Sequence, residues 1–181
     1  YKKKIIEIRN LTKKFNEKII LKNINFDLYE GESLAIIGAS GSGKSVLLKN
    51  IIGLLKPEAG SIKINNVETV NLSRSKRENL LLELGITFQH GALFDSLTIW
   101  ENVIFKIQRI NKLSKIDGQK LALDIIKNLG LGSDILNLYP SEISGGMQKR
   151  IAIARAISSD PSILLFDEPT SGLDPVTGSV I

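Results

Sequence analysis

The chain has 181 residues, a mass of 19.9 kDa and no cysteine, which fits one domain with a hydrophobic core and excludes disulfides and thiolate metal sites. Its formal net charge is +5, but the lysine and arginine runs carry no interleaved aromatic residues, which argues against a groove for single-stranded nucleic acid. Because no apolar run approaches the roughly 20 residues of a membrane span, no span is expected. The start of the chain also lacks the pattern of a signal peptide, so none is expected there.

The first third of the chain predicts strands around one helix. Ile5, Ile6 and Ile8, followed by alternating apolar residues at 24, 26 and 28, indicate short strands with one buried face. Residues 33–37 form an apolar run that predicts a strand leading directly into a glycine-rich turn. The apolar spacing then predicts a helix over 45–52 and a strand over 61–64, which closes at Asn65 and Asn66.

The remaining two thirds add a helical insert. A helix is predicted over 75–84 and a strand over 86–88, and Thr98 with Glu101 forms the capping box that opens a helix over 99–110. Further helices are predicted over 115–129 and 147–157, before a strand over 163–166. A strand, a glycine-rich turn, a helix and a later apolar strand together indicate an α/β core with a parallel sheet.

The glycine-rich turn matches the phosphate-loop pattern GxxxxGK[ST]. Glycine lets the backbone curl, so that several N–H groups converge on one anion at the start of a helix. The lysine supplies charge to the β- and γ-phosphates, and the last hydroxyl completes the coordination shell of Mg²⁺. The predicted ATP-binding residues here are Gly38, Ala39, Ser40, Gly41, Ser42, Gly43, Lys44 and Ser45.

Two carboxylates end the late apolar strand. Asp167 is the predicted Mg²⁺ ligand, directly or through its water, as in other phosphate-loop NTPases. Glu168 points differently and is the predicted general base for the attacking water. Alone, this segment also fits a buried strand with a polar end, and the phosphate loop favours the catalytic interpretation.

A second anion-binding segment precedes the last predicted helix. Ser144, Gly145 and Gly146 stand directly before it, so N–H groups and the positive helix end are offered to an anion. One nucleotide cannot use both sites in one monomer if they lie on separate subdomains. The economical arrangement is a two-fold dimer, in which each chain's second site closes over its partner's ATP.

In their order, these segments resemble the ABC-type ATPases. Residues 38–45 match the Walker A motif, Gln89 the Q-loop, Ser144 to Gly146 the LSGGQ signature, 163–168 the Walker B motif and 171–174 the D-loop. The resemblance covers essentially all of 1–181. It implies a P-loop NTPase α/β core with a parallel sheet, an N-terminal antiparallel β-subdomain and an α-helical signature subdomain at about 90–160.

The resemblance also implies residue roles. Phe15 is placed to stack on adenine, although packing within the β-subdomain fits it equally well. Glu168, Gln89 and Lys44 are the implied catalytic residues. The implied Mg²⁺ ligands are Ser45, Gln89 and Asp167. Asp174 belongs to the nucleotide site. Trp100, by contrast, is expected to anchor the packing of the helical insert.

Two departures from the family pattern are visible. Ile143 and Met147 replace the leucine and glutamine of the signature, but the serine hydroxyl and the glycine N–H donors remain. The switch histidine beyond the D-loop is absent, and His90, beside Gln89, cannot replace it. Because both ends look truncated, we expect a domain that is incomplete at its C-terminus, with impaired hydrolysis if the polypeptide ends at Ile181.

The resemblance further implies partners and a location. Two MgATP molecules join two such subunits, which drive a separate integral-membrane permease from the cytoplasmic face of the inner membrane as peripheral proteins. No nucleic acid partner is expected. The helical insert, reached through the Gln89 loop, is the expected docking surface for the permease.

The segment from Gln89 to Thr98, together with Ser144 to Met147, resembles one subgroup of this family in particular. It comprises the Mla/MCE-associated ATPases of phospholipid transport, which makes an MCE-domain protein a candidate partner. ATPases of amino-acid or other small-solute importers look similar here and stay open as the main alternative. Two minor alternatives are a non-transport ABC ATPase, which usually carries an inserted coiled coil or a second ATPase domain, and a non-hydrolysing fragment.

Overall fold

The computed structural model describes residues 2–89 and 91–169, which form two compact units, Tyr1–Asn79 and Leu80–Ile181. The first unit contains β1 (Lys4–Phe15), β2 (Lys18–Tyr29), α1 (Lys44–Ile51), β3 (Ala59–Ile64) and β4 (Val67–Glu68), and α2 (Arg74–Glu83) begins in it. The second contains β5 (Leu84–Thr87), α3 (Ile99–Ile110), α4 (Lys115–Lys127), α5 (Gly145–Ile157) and β6 (Ile163–Phe166), with short 3₁₀ turns at Ser133–Ile135 and Pro140–Glu142.

The first unit is built on an antiparallel sheet of strand order β2-β1-β3-β4. Ile6 pairs with Ile64 and Ile8 with Ile62, so the alternating isoleucines share one buried face. The predicted turn at Asn65 and Asn66 has φ of 48° and 64°, the left-handed pair of a type I′ hairpin. It leads into β4, a two-residue strand that the sequence did not indicate.

The strand predicted over 33–37 is not observed, although this apolar run does precede the glycine-rich turn. These residues form no ladder within the first unit, and Leu34, Ile36 and Ile37 are 50%, 45% and 93% exposed. A strand exists only where a neighbouring backbone offers it hydrogen bonds. Apolar composition therefore predicted the character of this segment but not its pairing.

The second unit combines a parallel strand pair with a helical layer. Strands β5 and β6 pair in register from Leu84 opposite Ile163 to Thr87 opposite Phe166, which confirms the predicted parallel sheet. Helices α3, α4 and α5 bury one apolar cluster, against which Trp100 packs as expected. No helix among residues 2–89 and 91–169 is long and apolar enough to cross a membrane.

A glycine sets the close approach of α3 and α4. A Cβ on Gly118 would lie 2.7 Å from the Ile104 side chain and 3.0 Å from the Trp100 ring. Ile104 is 1% exposed and the capping box of Thr98 and Glu101 forms as predicted, so the start of α3 is fixed by both packing and hydrogen bonds.

Candidate functional site

The glycine-rich loop of the first unit has a backbone that only glycine adopts easily. Gly41 and Gly43 have φ of 78° and 101°, in the left-handed region. A Cβ on Gly43 would also lie 3.0 Å from Ile20 and 3.1 Å from Leu21, both on β2. The conformation and the contact with β2 together explain why the chain needs glycine at the residue directly before α1.

Lys44 and Ser45 open α1 immediately after this loop. The Lys44 ammonium donates hydrogen bonds to the carbonyl oxygens of Gly38 at 2.9 Å and Ala39 at 3.2 Å, so its charge lies over the loop. Ser45 is half-buried at the second residue of the helix. Backbone N–H groups of a first helical turn lack helical partners, which makes this end of α1 suited to an anion.

Phe15 lies at the end of β1, where the hairpin to β2 turns. Its side chain is 44% exposed, and the ammonium of Lys13 lies 5.2 Å from the ring centroid. Lys13 is itself held by Glu58 and by the carbonyl oxygen of Lys56, both at 2.8 Å. The ring is therefore fixed beside a cation while part of it remains accessible.

The two carboxylates of the second unit follow β6. Asp167 is 8% exposed, and its backbone N–H donates to the carbonyl oxygen of Thr87 at 3.2 Å, which extends the β5–β6 pairing by one bond. The next residue, Glu168, has φ of 51°, a left-handed conformation that turns its side chain away from the direction of the strand. The amide of Gln89 donates to a carboxylate oxygen of Glu168 at 3.0 Å.

Gln89 and Glu168 are thus brought together at the ends of two neighbouring parallel strands. The glycine-rich loop lies in the first unit, and these groups lie in the second. Asp174 and His90 fall outside the described residues. The assignment of Asp174 to the nucleotide site therefore stays a prediction.

Ser144 caps α5, which begins at Gly145, two residues before the predicted start. Its hydroxyl accepts a hydrogen bond from the backbone N–H of Met147 at 3.3 Å. Ser144 and Gly145 are exposed, and a Cβ on Gly145 would meet nothing within 4 Å. The positive end of α5 is therefore open to an approaching anion.

A magnesium ion would need oxygen ligands, and the predicted residues provide them. No cluster of three or more His, Asp or Glu residues in the described part of the chain could hold a metal ion. Magnesium bound with a nucleotide usually takes only one or two protein oxygens and completes its shell with water and phosphate. The hydroxyl of Ser45 in the first unit, and the buried carboxylate of Asp167 and the side-chain amide of Gln89 in the second, each carry an oxygen of the kind that magnesium binds.

Two polar residues that the sequence did not single out hold the segment after Gln89. Arg155 on α5 donates to the carbonyl oxygens of Gly91 and Ala92, both at 2.9 Å, and lies 5.6 Å from the Phe94 ring centroid. Burial lowers the pKa of the Arg155 guanidinium. Asn102, on α3, is fully buried. Its Oδ1 accepts a hydrogen bond from the backbone N–H of Phe94 at 2.8 Å, and its side-chain amide donates to the carbonyl oxygen of Phe94 at 3.0 Å.

Replacing Asn102 with leucine is expected to lower the free energy of unfolding by about 1–3 kcal/mol. Leucine keeps the volume but leaves the Phe94 N–H and three partly buried carbonyl oxygens, those of Phe94, Leu97 and Thr98, without the bond from Asn102. Urea unfolding followed by Trp100 fluorescence measures the loss. Asn111→Leu, at the exposed end of the same helix, is the matched control, and equal midpoints for the two variants would contradict the assigned role.

Comparison with known proteins places these features in a family. A family model described as "ABC transporter" matches residues 21–171. This range includes the glycine-rich loop, the segment around Gln89, the start of α5 and the two carboxylates.

Three curated relatives differ in what their names say they transport. The chain is 41% identical to the probable ribonucleotide transport ATP-binding protein mkl of Mycobacterium leprae, covering 94% of this chain and 49% of that protein. It is 41% identical to the arginine transport ATP-binding protein ArtM of Bacillus subtilis, covering 94% of this chain and 70% of that protein. It is 39% identical to the intermembrane phospholipid transport system ATP-binding protein MlaF of Haemophilus influenzae, covering 98% of this chain and 67% of that protein. The chain spans about half the length of the mkl protein.

A solved structure shares the fold. The dimeric post-hydrolysis state of the ATP-binding cassette MJ0796, bound to ADP and Pi, superposes with a TM-score of 0.90 at 38% identity, covering 98% of this chain and 79% of that one. This agreement confirms the expected combination of an antiparallel N-terminal sheet with a parallel sheet.

Proposed function

Because the chain belongs to the ABC transporter family, we propose that it is the ATP-binding part of a transporter subunit that binds MgATP and hydrolyses it as one half of a dimer. The observation that best supports hydrolysis is the bond from Gln89 to Glu168. It joins side chains 79 residues apart at the carboxyl ends of parallel strands, where α/β folds usually bind their ligands.

The glycine-rich loop is proposed to hold the triphosphate of ATP. The positive φ angles of Gly41 and Gly43 curl the backbone at the start of α1, and Lys44 already lies over the loop. Its ammonium then exchanges loop carbonyl oxygens for the β- and γ-phosphates. Phe15 offers the exposed part of its ring to the adenine.

In the proposed reaction, water attacks the γ-phosphorus while the bond to the bridging β–γ oxygen breaks, which yields ADP and phosphate. Glu168 accepts the proton from the attacking water, and Gln89 orients its carboxylate. Ser45, Asp167 and Gln89 are the residues proposed to hold Mg²⁺, which neutralises charge on the phosphate oxygens when bound. Lys44 adds to that neutralisation.

A dimer completes the proposed site. Ser144, Gly145 and Gly146 expose the positive end of α5, and in a two-fold dimer they contact the γ-phosphate of ATP held by the partner. Asp174 is proposed to belong to the nucleotide site. The relative MJ0796 is a dimer in its solved structure, which supports this arrangement.

For the cargo, we propose phospholipid, carried by a separate permease with an MCE-domain protein. The sequence from Gln89 to Thr98 supports this assignment, as does the 39% identity to MlaF. The 41% identity to ArtM supports an amino-acid importer as the second candidate. In either case the subunit lies peripherally at the cytoplasmic face of the membrane.

Purification of the complete polypeptide from detergent-solubilised membranes, with mass spectrometry of its partners, tests the cargo assignment. We expect a multi-span permease and an MCE-domain protein. Arg155→Met is the comparison variant. It removes the hydrogen bonds from Arg155 to the carbonyl oxygens of Gly91 and Ala92, so this segment loosens and recovery of the permease should fall. A permease recovered with a solute-binding protein would establish the amino-acid candidate instead, and ribosomal or DNA-bound partners would overturn both.

A further inference from the structure

The connection between α3 and α4 exposes two isoleucines. Ile110, the last residue of α3, is 54% exposed, and Ile116, the second residue of α4, is 78% exposed. The connection comprises only residues 111–114, so both side chains lie at the same end of the helix pair. Leu113, within the connection, packs against the apolar cluster of the three helices. Two large apolar side chains therefore face solvent beside a connection that is itself packed.

Hydrogen bonds fix this end of the helix pair. The side-chain amide of Gln108 donates to the carbonyl oxygen of Leu113 and accepts from its N–H, both at 3.2 Å. The Ser114 hydroxyl accepts from the backbone N–H of Asp117 at 3.2 Å and donates to the Asp117 carboxylate at 2.6 Å. Because these bonds already order the connection, a partner that binds the isoleucines does not have to order a loop.

Exposed cations surround the two isoleucines. They lie at the end of α3, in the connection and in the first two turns of α4: Arg109, Lys112, Lys115 and Lys120. None of these four forms an ion pair with a carboxylate in the described part of the chain. The only acidic residue of 109–120 is Asp117, so four cations and one carboxylate leave this segment a formal charge of +3. We refer to the four cations with Ile110 and Ile116 as the basic tip.

We propose that the basic tip contacts the surface of a lipid bilayer that carries anionic headgroups. The cations attract the headgroups, and the two isoleucines enter the boundary between headgroups and hydrocarbon. Fluid hydrocarbon accepts single apolar side chains that protrude from the end of a helix pair. An acidic protein segment would satisfy the cations, but it would need a fitted pocket for each isoleucine. This contact goes beyond the proposed attachment through a permease and requires neither nucleotide nor cargo.

Cosedimentation of the complete polypeptide with vesicles, without permease or ATP, tests the proposal. The probes are mixed vesicles of phosphatidylglycerol and phosphatidylcholine, and vesicles of phosphatidylcholine alone. We expect affinity for the mixed vesicles to be at least about tenfold higher, and to fall as salt is raised. Equal affinity for the two kinds of vesicle would overturn the proposal. Binding to soluble polyglutamate without binding to vesicles would also overturn it, and would assign the basic tip to an acidic protein segment.

Paired charge variants separate the basic tip from the overall positive charge. Lys112→Gln combined with Lys115→Gln should weaken binding to the mixed vesicles at least about tenfold. Lys18→Gln combined with Lys22→Gln removes the same charge from exposed positions of β2, and should change the affinity by less than about twofold. Equal losses in the two double variants would show attraction by net charge alone and would overturn the assignment to the basic tip.

A second pair of variants tests the apolar contribution. Ile116→Ser should weaken binding to the mixed vesicles at least about fivefold, because it removes an apolar side chain that enters the bilayer boundary. Leu54→Ser is the matched control, since Leu54 is 60% exposed in the first unit, and it should bind as the unchanged protein does. If Ile116→Ser also binds as the unchanged protein does, the isoleucines do not enter the bilayer. Since no ATP is present, either result leaves the proposed hydrolysis untouched.

Discussion

Glu168→Gln is expected to lower ATP turnover by about 10²–10⁴-fold while ATP binding is kept, and an ATP-bound dimer should accumulate. Glutamine has the same shape and can still accept the hydrogen bond from Gln89, but it cannot take the proton of the attacking water. Phosphate release measures the turnover, and light scattering with ATP measures the dimer. The complete polypeptide with its natural C-terminus is the protein to use.

Glu30→Gln is the control for this variant, because it removes one exposed carboxylate far along the chain from β6. It should hydrolyse ATP at the rate of the unchanged protein. If Glu168→Gln stays monomeric with ATP, or hydrolyses ATP at the control rate, Glu168 is not the base. If the unchanged protein binds ATP without turnover, the non-hydrolysing alternative holds instead.

Lys44→Ala is expected to weaken ATP binding by about 10–150-fold, because one charge-assisted contact to phosphate contributes about 1.5–3 kcal/mol. The variant also removes the bonds from the ammonium to the carbonyl oxygens of Gly38 and Ala39, so some order in the loop is lost with the charge. Titration with a fluorescent ATP analogue measures the affinity.

Lys49→Ala is the matched control, since Lys49 belongs to the last turn of the same helix. It should bind the analogue as the unchanged protein does. Circular dichroism of both variants checks that α1 still forms. If Lys44→Ala and the unchanged protein bind the ATP analogue with equal affinity, the glycine-rich loop is not part of the ATP site.

The sequence by itself determined the elements whose signals are local. The β6 strand has the predicted bounds, and α3 begins after Thr98, because an apolar run or a capping box acts within a few residues. The glycine pattern at 38–45 likewise predicted a turn that opens a helix, since the positive φ at Gly41 and Gly43 is a local requirement.

Only the tertiary structure decided which distant groups meet. The run 33–37 has the composition of a strand yet forms no ladder in its unit, because strand formation depends on a partner backbone. Asn102 and Arg155 resemble ordinary polar positions of helices until folding brings the segment after Gln89 against them. The bond from Gln89 to Glu168 depends in the same way on β5 and β6 pairing in parallel, and no pattern within either segment specifies that register.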